Sequence, residues 1–438
     1  MRNWILAGAA CAALMGVAQP AYGAANPALP NEASRAAPGV DQAVGAFYAS
    51  RTSAPLWLKS PDDVAAARNL ISILRRAPLD GLASGPALAA EAEARLARAA
   101  TGDASARANA ERMLSRAWAV YVGALQAPSH GMTVADSWVA PRRDSPGQIL
   151  ARAAAAPSLA DHVRRVSAVN PIYAQLRDAA WASAQASGNQ ADARVLASLD
   201  RARAMPFQKR YVMVDTASAR LWMIENGQIV DMMKVIVGKA SAQTPMLAST
   251  IYRATLNPYW NVPGDLVQKL IAPRVIDQGI GYLKSKNYEL LDGAGADAQP
   301  LDPRSVDWKA VAAGTATVRV RQLPGPANSM GQVKFGFPNA NDIFLHDTPN
   351  KDLFVQDSRD LSNGCIRLED APRLGRWLLG REASTTSSAP EQHVLLPTPV
   401  PIYVTYLTAQ GAGGQLSFVN DVYGRDAHSA ASQVAALR

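Results

Sequence analysis

Apolar positions in the first half of the chain recur three and four residues apart. The run Val64-Ala65-Ala66-Ala67-Arg68-Asn69-Leu70-Ile71-Ser72-Ile73-Leu74 keeps that spacing with polar residues between. Leu88, Ala92, Leu96 and Ala99 share one helical face; Leu114, Trp118, Tyr121 and Leu125 share another. The pattern predicts helices over residues 40–203. Pro128, Pro141 and Pro157 divide it into separate elements, because proline lacks an amide and its ring clashes with the preceding turn. The abundance of Ala fits the best helix former rather than low complexity.

Near Arg210 the character changes. Residues 210–216 and 219–225 read as strands, and Asn226-Gly227 between Glu225 and Gln228 is a strong hairpin turn. Further strands are predicted at 228–237, 249–257, 317–322, 333–337, 342–346 and 401–407, with short helices at 264–278 and 371–379. The fold class is therefore α+β: a helical N-terminal half, then a β-rich C-terminal half, with the boundary near residues 200–210. Residues 25–44, rich in Pro, Ala and Asn near their start, read as a linker. A chain of 438 residues has room for two or three domains.

Composition changes this picture at the N-terminus. Arg2, an apolar run from Trp4 to Val17, and small residues through Ala25 have the layout of an export signal over residues 1–24, with cleavage near residues 23–25. The run is short for a membrane span. Export predicts a periplasmic protein. Of the two cysteines, Cys11 lies in that segment, leaving Cys365 alone and without an internal disulfide partner. The net charge of +8 comes from scattered basic residues with no interleaved aromatics, which argues against nucleic acid. A basic surface equally suits a polymer rich in carboxylates. The five histidines form no HxxxH pair and there is no thiolate cluster, so neither a metal nor a cofactor is expected.

One segment concentrates the candidate chemistry. His346 ends a predicted strand, a polar loop follows, and Ser362-Asn363-Gly364 leads into Cys365. A thiolate attacks carbonyls where a thiol does so poorly, and a nearby His takes the proton and returns it to a leaving amine. A positive neighbour lowers a thiol pKa. Gly364 lets backbone approach a ligand, so the amides of Gly364 and Cys365 are candidate oxyanion donors. The alternative is a buried Cys and a surface His that never meet.

The segment His346 … Ser362-Asn363-Gly364-Cys365-Ile366-Arg367 resembles the L,D-transpeptidase catalytic domain of the YkuD type. Further blocks resemble its larger, YcbB-like branch: Val237-Gly238-Lys239 with Thr244-Pro245, residues 256–263, Arg321-Gln322-Leu323-Pro324-Gly325-Pro326, residues 331–339, and residues 401–406. Phe47-Tyr48 to Pro55-Leu56-Trp57 resembles the start of that branch's helical scaffold domain. The resemblance covers most of residues 45–425. It implies a scaffold domain over 45–205, a catalytic domain over 206–425 and a tail over 426–438, with no room for the peptidoglycan-binding module many relatives carry. Many members have His at the position of Asn363 and Tyr at that of Phe344.

The resemblance also implies roles. Cys365 attacks the third residue of a peptidoglycan stem peptide and forms a thioester, with His346 as acid and base. Either the carbonyl or the carboxylate of Asp347 orients the imidazole. Ser362 holds the loop or touches substrate. Arg367 binds a stem carboxylate or ties the Cys loop to the sheet. Tyr259 and Trp260 wall the cleft or lie in the core. Asn363 and Phe344 flank the substrate, and Lys239 and Lys334 lie at the surface. The partners expected are peptidoglycan stems, cell-wall synthesis proteins, and carbapenem β-lactams as covalent inhibitors. The product is a 3-3 or 1-3 cross-link. The alternatives are a hydrolase of the same family, acting as carboxypeptidase or endopeptidase, and a non-catalytic wall-binding scaffold protein.

Overall fold

The computed structural model describes residues 38–51, 55–205, 208–293, 298–384 and 387–426. The predicted signal segment and the tail beyond Asp426 lie outside them. The N-terminal part consists of α1 (Pro38–Ser50), α2 (Pro61–Arg76), α3 (Gly85–Ala99), α4 (Ala104–Leu125), α5 (Pro146–Ala155), α6 (Leu159–Ala168), α7 (Pro171–Ser187) and α8 (Ala193–Arg203). Pro128, Pro141 and Pro157 fall in connections, whereas Pro61, Pro146 and Pro171 begin helices, where a missing amide costs nothing. Ser60, Asp103, Ser145, Ser158 and Asn170 cap five of these helices with side-chain oxygens. The linker reading of 25–44 is corrected from Pro38 onward. Val40 and Val44, one helical turn apart, are both buried, and that burial draws the segment into α1. The Glu111 carboxylate on α4 accepts the backbone amides of Leu56, Trp57 and Leu58, which seats Trp57 in the helical core.

The C-terminal part is built on β2 (Arg210–Asp215), β3 (Arg220–Glu225), β4 (Gln228–Gly238), β5 (Leu247–Leu256), β9 (Val333–Gly336), β10 (Phe344–His346), β12 (Ile366–Leu368) and β13 (Gln392–Thr405). Their order is β5-β13-β2-β3-β4-β12-β10-β9, and β9 pairs back onto β5, so the sheet closes on itself. A short β1 (Thr133–Val134) extends it at β5, and β11 (Asp360–Ser362) pairs with β4. Asn226 and Gly227 both have positive φ, as a tight hairpin turn requires. Strand β13 is longer than the sequence predicts. Pro397 and Pro399 sit where its register against β5 shifts, the bulge that lets prolines enter a strand. Inside the closed sheet, Val212, Val214, Leu221, Leu345, Ile366 and Ile402 form one core with Leu374 and Leu378 of α13 (Ala371–Leu379).

Alternation along β2 builds the contact with the helical part. Val212 and Val214 point into the barrel; Tyr211 and Met213 point out and join the helical core with Trp222, Ile224 and Tyr403. The hairpin of β14 (Ala409–Ala412) and β15 (Gln415–Phe418) packs on α7, with Gly411 against the backbone of Gln175 and Leu176. Arg201 of α8 donates to the carbonyls of Tyr406 (3.1 Å) and Arg425 (2.9 Å) and pairs with Asp426 (2.7 Å).

Between β5 and β9 the chain makes an excursion with its own core. It contains β6 (Trp260–Val262), α9 (Gly264–Leu266), a π turn (Val267–Ile271), α10 (Ala272–Gln278), α11 (Gly281–Ser285), β7 (Tyr288–Leu291), α12 (Trp308–Ala313) and β8 (Arg319–Gln322). Val262, Ile271, Leu290, Trp308 and Val320 fill it.

Candidate active site

The parallel pair β10–β12 brings the two candidate residues onto one face. Leu345 faces Ile366 and His346 faces Arg367 across the pair. Leu345 and Ile366 are fully buried in the barrel, so alternation turns Phe344, His346 and Arg367 to the other face. Cys365 precedes Ile366 and shares that face with His346. The row continues across the sheet: His346 stands opposite Lys334, and Lys334 opposite Thr255.

His346 is only 2% exposed, and its Nδ1 lies 2.6 Å from the Asp347 carbonyl oxygen. A carbonyl only accepts, so Nδ1 carries the proton and Nε2 is left as a bare lone pair, the tautomer a general base needs. Burial lowers the His346 pKa to about 4, with Arg367 and Lys334 adding to the fall against the Asp347 carbonyl. The Asp347 carboxylate turns away from the imidazole. It accepts from Lys351 Nζ (2.8 Å) and the Gln332 amide (3.0 Å).

Cys365 is half-buried, with its Sγ 3.7 Å from the Asp342 carbonyl oxygen. Burial pushes the thiol pKa up, and this outweighs the Phe344 amide and Arg367, which pull it down. Arg367 is the positive neighbour that lowers it, but desolvation wins. At rest the pair is a neutral thiol beside a neutral imidazole.

A braced loop holds the thiol. The buried Ser362 hydroxyl donates to the Cys365 carbonyl (2.6 Å) and accepts from the Gly364 amide (3.1 Å). Ser362 thus holds the loop, and the assignment of its side chain to substrate is corrected because its hydroxyl is spent on backbone. The same bond removes the Gly364 amide as an oxyanion donor. Gly364 has φ +118°, a conformation that L side chains rarely adopt. Its carbonyl accepts from Thr244 Oγ1 (2.7 Å), which in turn accepts from the Gly238 amide (2.9 Å). Tyr423 Oη donates to the Gly238 carbonyl and reaches the Thr244 amide (3.4 Å).

Arg367 makes no ion pair and no hydrogen bond among the described residues, so nothing ties the Cys loop to the sheet through it. Its charge stands beside Cys365 and His346. Asn363 is exposed next to the thiol. Phe344 is half-buried with Lys334 Nζ 5.8 Å from its ring centre. Lys334 is not at the surface as expected. It is 17% exposed, opposite His346 and paired with Glu391 at 3.2 Å. Tyr259 donates its amide to Glu391 (2.8 Å) and lies under Arg321 (4.3 Å). Trp260 is half-buried, its ring tilted toward Tyr288 at the edge of the excursion's core. Thr244, Lys334, Glu391 and Tyr423 are the site residues that sequence reasoning missed. Thr244 and Lys334 carried a signal, their places in two of the resembling blocks, and Glu391 and Tyr423 carried none.

A family model described as the L,D-transpeptidase catalytic domain, YkuD, matches residues 209–402, and a model described as a Scaffold domain matches residues 42–179. A Haemophilus influenzae protein named as a candidate L,D-transpeptidase is 30% identical over 233 residues, 52% of this chain and 46% of that protein. The chain thus spans less than half the length of that relative. Among solved structures, an L,D-transpeptidase from Mycobacterium smegmatis is 13% identical with a TM-score of 0.23, over 45% of this chain and 58% of that one. The L,D-transpeptidase LdtMt1, solved in complex with imipenem, is 11% identical with a TM-score of 0.23 over the same shares. Likeness at that level establishes nothing about the reaction of this chain.

Proposed function

We propose that this chain, whose residues 209–402 form an L,D-transpeptidase catalytic domain of the YkuD family, cross-links peptidoglycan stem peptides through Cys365 and His346. The observation that carries this reading is the imidazole of His346, fixed by the Asp347 carbonyl with Nε2 unprotonated, on the same face as the half-buried Cys365 thiol.

The steps follow from the resting protonation states. As Cys365 Sγ attacks the carbonyl of the third stem residue, its proton passes to His346 Nε2. The peptide C–N bond breaks, the imidazolium protonates the leaving D-Ala amine, and a thioester holds the donor. The amine of a second stem then attacks the thioester. His346 takes the amine proton and returns it to the departing thiolate. With the Gly364 amide taken by Ser362, the N–H of Cys365 itself is left to meet the oxyanion, and the Arg367 charge lies beside it. Arg367 also suits a stem carboxylate. The resemblance of the Cys loop extends the reading to carbapenems, which would acylate Cys365. The pattern of residues 2–25 supports export to the periplasm.

The test is mass spectrometry of the unaltered chain and Cys365→Ala after incubation with disaccharide-tetrapeptide. A cross-linked dimer made only by the unaltered chain is the expected result, and the mass lost identifies the 3-3 or 1-3 link. Trimmed monomers alone would mean hydrolysis. No change with any stem length would refute the enzymatic reading.

A further inference from the structure

The helical part carries a cleft of about 1070 Å³ that lies away from the Cys–His row. Its apolar wall includes Met132, Val134 and Val166, and Trp138 stands at it 56% exposed. Five arginines line it, and they are not equivalent. Arg152 pairs with Asp144 at 3.1 Å. Arg203 is spent on the carbonyls of Ala124, Leu125 and Ala127 and on Asp200. Arg142, Arg143 and Arg165 are exposed and make no ion pair among the described residues. Asp144, the carboxylate among the lining residues, is already matched by Arg152. The cleft therefore keeps an uncompensated positive charge. His162 on its wall registers this: burial lowers its pKa, and Arg165 and Arg152 lower it further.

We propose that this cleft binds the peptidoglycan strand at a second place, as a holding site distinct from the catalytic one. This rests on the transpeptidase reading. Guanidinium groups take carboxylates in paired hydrogen bonds, and stem peptides carry carboxylates. An exposed indole offers a flat apolar surface to a sugar ring. A concave cleft suits a polymer strand better than a bilayer, which calls for an apolar face laid flat on the lipid. The placement fits as well. Strand β1, whose Val134 lines the cleft, pairs with Leu247 and Ala248 at one end of β5, while Thr255 near the other end belongs to the catalytic row. Those two ends lie roughly 25 Å apart along the strand. A polymer can therefore occupy both places at once, and the catalytic end gains the raised local concentration that tethering gives.

The test is co-sedimentation of the full chain with insoluble, purified sacculi. The unaltered chain is compared with Trp138→Ala, with the triple variant Arg142→Ala/Arg143→Ala/Arg165→Ala, and with Arg381→Ala as a distant control. Circular dichroism melts verify that each is folded. The triple variant is expected to bind sacculi about tenfold or more weakly and to lose most of the salt dependence. Trp138→Ala is expected to weaken binding without changing the salt dependence, and Arg381→Ala to leave it unchanged. Equal binding by the triple variant and the unaltered chain overturns the proposal. So does a loss seen with anionic phospholipid vesicles and not with sacculi, which would assign the cleft to a lipid surface. The transpeptidase reading fails separately, through an unaltered chain that does not join soluble tetrapeptides while its sacculus binding still depends on the three arginines.

Discussion

His346 is uncharged at neutral pH because it is buried and flanked by Arg367 and Lys334. Its folded pKa of about 4 lies below the ordinary value of 6.5. The stability this contributes is present above pH 6.5 and lost as pH falls toward 4, because the unfolded chain takes up the proton first. Urea melts of the unaltered chain should therefore lose about 2 kcal/mol more than those of His346→Gln between pH 7 and pH 5. Equal losses would mean that His346 titrates normally. Arg367→Gln removes a repelling charge, so the acid limb of the pH–rate profile should move to higher pH. Cys365, raised by burial, should react with iodoacetamide at pH 7 more slowly than a free cysteine thiol, with the rate climbing at alkaline pH. The nearness of His346 and Cys365 was legible because a strand-ending His, a polar loop and a Gly-Cys turn follow one another in sequence. The environment that sets their protonation was not. Lys334 and Glu391 meet only because β9 and the start of β13 are brought together across β5.

The Cys loop is positioned by a hydroxyl on another element. Thr244 follows β4, and its Oγ1 joins the Gly238 amide to the Gly364 carbonyl. Thr244→Val keeps the shape and removes both bonds, leaving two buried backbone groups unpaired. It should cost about 1–3 kcal/mol of stability and lower kcat more than KM. An unchanged kcat would show that the loop holds its form without Thr244. Strands β2 and β3, each a short apolar run with polar ends, were readable from the sequence, as was the hairpin turn between β3 and β4. Others were not, the short β6, β7 and β11 among them. The N-terminal part of β13 hides behind Pro397 and Pro399, and β12 is three residues long, too short for a period to register. Helix α1 was taken in part for linker because its first turn holds Pro38 and Gly39.

At the scale of the whole molecule, the outer face of β2 and β3 is the floor of the helical core. Tyr211, Met213, Trp222, Ile224 and Tyr403 are buried only with the helices in place. Calorimetry should therefore show one unfolding transition, and a chain starting at residue 208 should aggregate. Two separated transitions would contradict this. Gly411→Ala drives a methyl group into the Gln175 backbone and should destabilise by about 1–3 kcal/mol. The excursion between β5 and β9 carries a further consequence. Those strands are antiparallel neighbours, and the Asn257 amide donates to the Gln332 carbonyl (3.0 Å), so the segment leaves and returns at one point. Topologically it is an overgrown hairpin tip. Closing such a tip grows only with the logarithm of its length, about 0.6 kcal/mol per doubling. Its apolar residues bury one another, and its ties to the site lie at its two ends, Tyr259 to Glu391 and Gln332 to Asp347. It can be lengthened, trimmed or exchanged while the Cys–His strands keep their register, so the region beside the site is free to vary where the site is not.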